Sequence, residues 1–289
     1  MKKYLSLICF SLAAMLLLSA CGAKAGEGGS GASGKPVIAV SIVPEQTFVT
    51  AVCGDLAEVV VLIPPGYSPE NYEPQPREME QFSKAALYFS IGVPTEETNL
   101  LPLVSKNTKI VPLAEVCKAE YAELDMDGGR DPHIWLSPKR AVVMVQKIAE
   151  EMWLLDPNNS KVYAANAKSF EEKLLAADGE IASSLSGIKN RSFIVFHPAF
   201  GYFADDYGLK MYALEDGGKE ATATRLQELT DLAKANNIRV IFYQAEIDSS
   251  QCQAFAEEIG GKAVKLDPLS GDYIENLKAM ANAISEELN

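Results

Sequence analysis

The sequence predicts an α/β protein: two α/β lobes with central parallel sheets, joined by one long helix. Three observations carry this reading. Short apolar runs such as Val37–Ile42 and Val240–Tyr243 alternate with helical patterns in two separate blocks. Some runs, such as Val59-Val60-Val61, are apolar on both faces, which suits parallel strands covered by helices. Between the blocks, Tyr163, Phe170, Leu174, Ile181 and Leu185 recur by sevens and fours. That spacing keeps them on one face of a helix about 40 Å long.

The elements follow in chain order. Residues 1–20 read as a lipoprotein signal peptide. Lys2 and Lys3 precede an apolar run, Tyr4–Leu18, that is too short and too basic at its start for a membrane span. The run ends in Leu18-Ser19-Ala20-Cys21-Gly22, which resembles the lipobox of bacterial lipoproteins. In that group the mature chain begins at the cysteine, here Cys21, and carries a lipid there. The Gly-, Ala- and Ser-rich stretch that follows makes residues 21–35 a flexible tether.

Residues 36–157 form the predicted N-terminal lobe. Its strands are Val37–Ile42, Glu58–Ile63, Leu87–Ile91 and Lys109–Leu113. Pro64-Pro65-Gly66-Tyr67-Ser68-Pro69 is a loop, and Arg77–Ala86 is a helix. Ser137-Pro138 starts another helix, with serine as cap and proline in the first turn, and Asp156-Pro157 ends it. Residues 158–190 hold the long linker helix, Ser160–Ser186. Residues 191–289 form the C-terminal lobe. Its strands are Ser192–Phe196, Val240–Tyr243 and Lys262–Leu266, and its helices include Phe200–Tyr207 and Tyr273–Leu288. Thr224 with Gln227, and Ser250 with Gln253, read as capping-box pairs.

The formal charge of −13, or −15 once Lys2 and Lys3 are removed, argues against a nucleic-acid partner. Cys53, Cys117 and Cys252 form no C-x-x-C pair, so a thiolate zinc site is excluded. Their spacing permits a Cys53–Cys117 bridge, but buried thiols are the reading preferred.

The chain has two histidines, each beside a proline at a strand–helix junction: Pro132-His133 and His197-Pro198. Imidazole nitrogen is the commonest transition-metal donor. Glu70 and Asp267 also follow strands, and ligands of open α/β sheets gather at the carboxyl ends of strands. Two imidazoles and two carboxylates suit a divalent transition metal. Each residue also has a plain alternative: Glu70 a solvated loop residue, Asp267 a turn before Pro268, Glu73 a surface charge, Glu246 a buried hydrogen-bonding group.

The chain resembles the metal-binding lipoproteins of bacterial ABC importers for zinc and manganese, the cluster A-I solute-binding proteins. Four stretches carry the resemblance: Val61–Pro69 with Tyr72-Glu73-Pro74, Asp131–Pro138, Phe196–Phe203, and Leu266-Asp267-Pro268-Leu269. It implies two α/β lobes bridged by a rigid linker helix, with the ion between them. It implies ligands at His133, His197 and Asp267, and delivery of the ion to a membrane permease. Where many members carry histidine, this chain has Glu70, so Glu70, Asn71 or a water completes the set. The His-rich loop of many zinc-specific members is absent.

The expected cargo is zinc, with manganese the alternative because a carboxylate suits harder ions. The expected protein is a monomer, anchored outside the cytoplasm through Cys21, and not an enzyme. A secreted metal-dependent hydrolase and a surface adhesion protein are the competing readings; no His-Glu-x-x-His motif supports the first.

Overall fold

The computed structural model describes residues 34–126, 129–215, 221–246 and 250–289. The predicted signal peptide, Cys21 and nearly all of the predicted tether lie outside them. The first sheet is built from β1 (Val37–Val40), β2 (Glu58–Val61), β3 (Leu87–Ser90) and β4 (Lys109–Pro112), in the order β2-β1-β3-β4. All its pairs are parallel. Helices α1 (Val43–Cys53), α2 (Pro76–Phe82) and α3 (Leu113–Lys118) alternate with these strands. A two-residue antiparallel pair, β5 (Asp125–Met126) with β6 (Gly129–Arg130), precedes His133.

Helix α4 (Pro138–Leu155) begins where the sequence places it: Ser137 Oγ accepts from Arg140 N at 3.2 Å. Helix α5 (Ser160–Ser186) is the expected long helix. It buries Tyr163, Ala167, Leu174, Ala177, Ile181 and Leu185 on one face. That face packs against α1 and α4 from the first half and α9 (Tyr273–Leu288) from the second. One helix thus seals both halves into a shared apolar core.

The second sheet has β7 (Ser192–Val195), β8 (Lys210–Ala213), β9 (Val240–Gln244) and β10 (Lys262–Leu266), in the order β10-β9-β7-β8 and again all parallel. Helices α6 (Gly201–Asp206), α7 (Ala223–Ala235) and α8 (Ser250–Glu258) complete it. Two α/β lobes with parallel sheets and a long joining helix are therefore present.

Two local expectations need correction, and one strand went unpredicted. Strand β8 is not visible as an apolar run, because Lys-Met-Tyr-Ala is short and sits at the sheet edge. Helix α7 is capped by Thr222, not Thr224: Thr222 keeps extended backbone angles and its Oγ1 accepts from Arg225 N at 3.2 Å. Helix α2 stops at Phe82 rather than Ala86, because Ala86 N is recruited to Val37 O (2.8 Å) to open β3. Cys53 and Cys117 are buried free thiols and Cys252 is also buried, as the cysteine reading expects. Burial pushes the first two up to about 12.

Candidate metal centre

His133 follows the β5–β6 pair and opens a turn of 3₁₀ helix, Ile134–Leu136. Asp131 Oδ1 fixes it twice, accepting from its backbone N at 2.9 Å and lying 2.8 Å from its Nδ1. Gly201 makes room for that carboxylate, since a Cβ there would meet Asp131 Oδ2 at 2.3 Å. Trp135 then pins the turn across the molecule, donating from Nε1 to Pro268 O at 2.8 Å, while Tyr273 OH donates to Trp135 O.

His197 lies just beyond the end of β7. Its Nδ1 is 2.6 Å from Glu215 Oε2, and Glu215 is itself set by its backbone N donating to Phe196 O at 3.0 Å. Both imidazoles are buried, and each has a carboxylate behind Nδ1. That arrangement places the ring proton on Nδ1 and leaves the Nε2 lone pair for a metal.

The two Nε2 atoms face each other at 3.2 Å. Glu70 Oε1 lies 3.9 Å from His133 Nε2 and 3.5 Å from His197 Nε2. These three donors lie within 4.8 Å of one another. A tetrahedral zinc ion with metal–nitrogen bonds of about 2.0–2.1 Å sets two donors roughly 3.3 Å apart. The spacing of the two nitrogens therefore matches what such an ion requires, and Glu70 closes the third corner with little movement.

The charges are tuned for a cation. Burial pulls the His197 imidazole down, but Glu215 and Glu70 outweigh it and hold its pKa at about 9. Burial alone would raise Glu70, yet its hydrogen bond to His197 and the charges of both histidines bring it below the ordinary carboxylate range. In the metal-free fold these charges favour a proton on His197.

The cluster opens on a cavity of about 540 Å³ lined also by Asn71, Pro94, Phe196, Gln244, Glu246 and Leu269. Glu246 is half-buried; burial and then the charge of Asp267 raise it. Glu73 is exposed, as expected of a surface charge.

Asp267, the fourth expected ligand, is not part of the cluster. Its Oδ1 accepts from Leu269 N at 3.2 Å, and its carbonyl accepts from Asn276 Nδ2 at 2.6 Å. The turn reading of Asp267-Pro268 describes this geometry. Sequence reasoning assigned no role to Asp131 or Glu215. Asp131 was detectable: an Asp two residues before a His can take both its backbone and ring N–H groups. Glu215 depends on β8, so it was hidden with that strand.

The profile of the family described as zinc-uptake complex component A, periplasmic (ZnuA), matches residues 38–287. The zinc-binding lipoprotein AdcA of Streptococcus pneumoniae serotype 4 is 33% identical over 301 aligned residues, covering 99% of this chain and 59% of AdcA. The chain thus spans about three fifths of the length of that relative. The high-affinity zinc uptake system protein ZnuA of Bacillus subtilis is 28% identical, covering 99% of this chain and 98% of its own. The crystal structure of a ZnuA deletion mutant with zinc bound superposes with a TM-score of 0.83 at 37% identity, covering 89% of this chain and 99% of that one.

Proposed function

We propose a function from one premise: this chain belongs to the zinc-uptake complex component A family, ZnuA. On that premise it is an extracytoplasmic zinc receptor. It captures Zn²⁺ between its two sheets and delivers the ion to an ABC permease, held at the membrane by a lipid on Cys21. The function is binding and transfer, not catalysis.

His133 Nε2, His197 Nε2 and Glu70 Oε1 hold the ion. A water takes the fourth position, or Asp267 does so once its hydrogen bond to Leu269 N is released. The observation that carries this reading is the 3.2 Å separation of two inward-facing Nε2 atoms, each backed by a carboxylate. Such a donor set and spacing favour zinc over manganese, which takes more oxygen donors at higher coordination number.

The test is competition with a chromogenic chelator, for zinc and for manganese, on wild type and on His197→Ala, Glu70→Ala and Asp267→Ala. His197→Ala should lose tight zinc binding. Glu70→Ala should weaken it strongly, and Asp267→Ala less. Wild-type zinc affinity in His197→Ala would sink the site. Manganese bound more tightly than zinc by wild type would overturn the choice of cargo.

A further inference from the structure

The order of strands reverses between β1 and β3, and the crevice at such a point is where doubly wound sheets take their ligands. In the first half that crevice is filled from within. Glu96 Oε1 accepts from Ser41 Oγ, just past β1, and from Ile91 N at 2.8 Å, just past β3. Its Oε2 accepts from Gly92 N at 2.8 Å. Gly92 has φ +90, a backbone turn that favours glycine, and a Cβ there would stand 1.7 Å from Arg130 Nη2, so the guanidinium would have to move. Tyr88 OH completes the set at 2.8 Å from Ser41 Oγ.

Burial raises the Glu96 carboxyl, while the hydrogen bonds from Ser41, Ile91 and Gly92 and the charge of Arg130 work against that rise and favour its ionised form. Its neighbour Glu45 is the opposite. Glu45 Oε2 accepts from Ser41 N (2.9 Å) and Ile42 N (3.1 Å), but its buried Oε1 meets no donor. With two donors on one oxygen and none among the described residues for the other, Glu45 is less suited than Glu96 to carry a charge. Burial, then the charge of Glu96, raises the Glu45 carboxyl, in agreement.

The residue before Glu96 carries the loop of the metal centre. Thr95 N donates to Pro69 O at 3.1 Å, and Thr95 Oγ1 accepts from Tyr72 N at 3.1 Å. Those two bonds bracket Glu70 and Asn71. Asn99 Nδ2 adds a third at Tyr72 O, 2.8 Å.

We propose that Glu96 is a positioning residue for zinc capture: it occupies the β1–β3 crevice as an internal ligand and, through Thr95, holds Glu70 over the two imidazoles. The proposal rests on the reading of Glu70 as a zinc donor. Glutamine at position 96 must turn an N–H₂ toward one of the donors that face the carboxylate, so the loop loses its anchor. Glutamine at position 45 can place its amide where Oε1 meets no donor, so the loop keeps its seat.

The experiment is a double-mutant cycle in zinc affinity, by chelator competition, with thermal melting as the check of folding. Glu96→Gln and Thr95→Val are each made in wild type and in Glu70→Ala, and Glu45→Gln in wild type. Each of the first two should weaken zinc binding roughly tenfold in wild type and leave it unchanged in Glu70→Ala. Glu45→Gln should bind within about threefold of wild type. An equal loss in both backgrounds, or no loss in either, overturns the proposal. Loss in Glu45→Gln as large as in Glu96→Gln overturns the contrast between the two carboxyls. If Glu96→Gln does not fold, Thr95→Val decides in the same way. If Glu70→Ala alone leaves affinity untouched, it is the donor role of Glu70 that fails, a separate result.

Discussion

Both sheets run their strands in one order, β2-β1-β3-β4 in the first half and β8-β7-β9-β10 in the second, so each has a crevice where the order reverses. The two crevices are filled in opposite ways. Past β7, the second half presents His197, a base backed by Glu215 and facing the cavity. Past β1, the first half presents Ser41, and the space is closed by the carboxylate of Glu96. One crevice faces an open cavity, while the other is filled by a side chain of the same sheet's lobe and serves as a footing. The difference teaches that the switch point of a doubly wound sheet is an anion- or cation-accepting geometry first, and a functional site only when the chain leaves it open.

The largest effect expected from this contrast is a pH dependence of zinc affinity set by the second crevice. His197 titrates near 9, above its ordinary 6.5. In the metal-free fold its proton therefore stabilises fully below pH 6.5, and that contribution is lost as pH rises through 9. On the proposed function, zinc must displace the same proton. Apparent zinc affinity should climb about tenfold per pH unit from 6.5 to 9 and then level off. A flat profile across that window, measured by chelator competition, would break the assignment of the proton to His197.

A smaller effect is expected from the support behind the imidazole. Glu215→Gln removes the charge at Nδ1 and should weaken zinc binding roughly 10–100-fold. It should also move the levelling point of the pH profile downward, because Glu215 is the main partner raising His197. An unchanged profile would separate Glu215 from the metal centre.

The smallest effect belongs to the first crevice. Ser41→Ala removes one donor from Glu96 and a partner from Tyr88. It should cost about 1–3 kcal/mol of unfolding free energy in a denaturant titration. Its effect on zinc should stay below that of Glu96→Gln, since the Ile91 and Gly92 donors remain. A loss of zinc affinity exceeding that of Glu215→Gln would mean the two crevices are not divided as described.

Much of this was legible in the sequence, for reasons that differ by residue. The strands that open each sheet are short apolar runs, and the face of α5 is periodic over 27 residues, so the architecture could be read directly. His133 and His197 stood out because the chain has no others. Edge strand β8 did not, because four residues of mixed polarity gain their strand character from the pairing with β7 rather than from their own pattern. Glu215 was lost with it. Asp267 was read as a ligand from its motif, and that role stays a proposal: here its Oδ1 accepts from Leu269 N. Glu96 carried no signal, since a glutamate that seals a crevice is indistinguishable in sequence from one on a surface.

The repeated strand order also bears on how the molecule is made. Every strand pairing in the two main sheets is parallel, so each must be closed across a crossover, and such long-range closures fold slowly. A chain emerging from the ribosome can complete the first sheet, with Glu70 and His133, well before β7 exists. His197 arrives later, and the turn of His133 receives its last pins, Pro268 and Tyr273, later still. On the proposed function, a chain that has not yet formed β7 lacks one of the two imidazoles, so the first half would fold before the ion could be held.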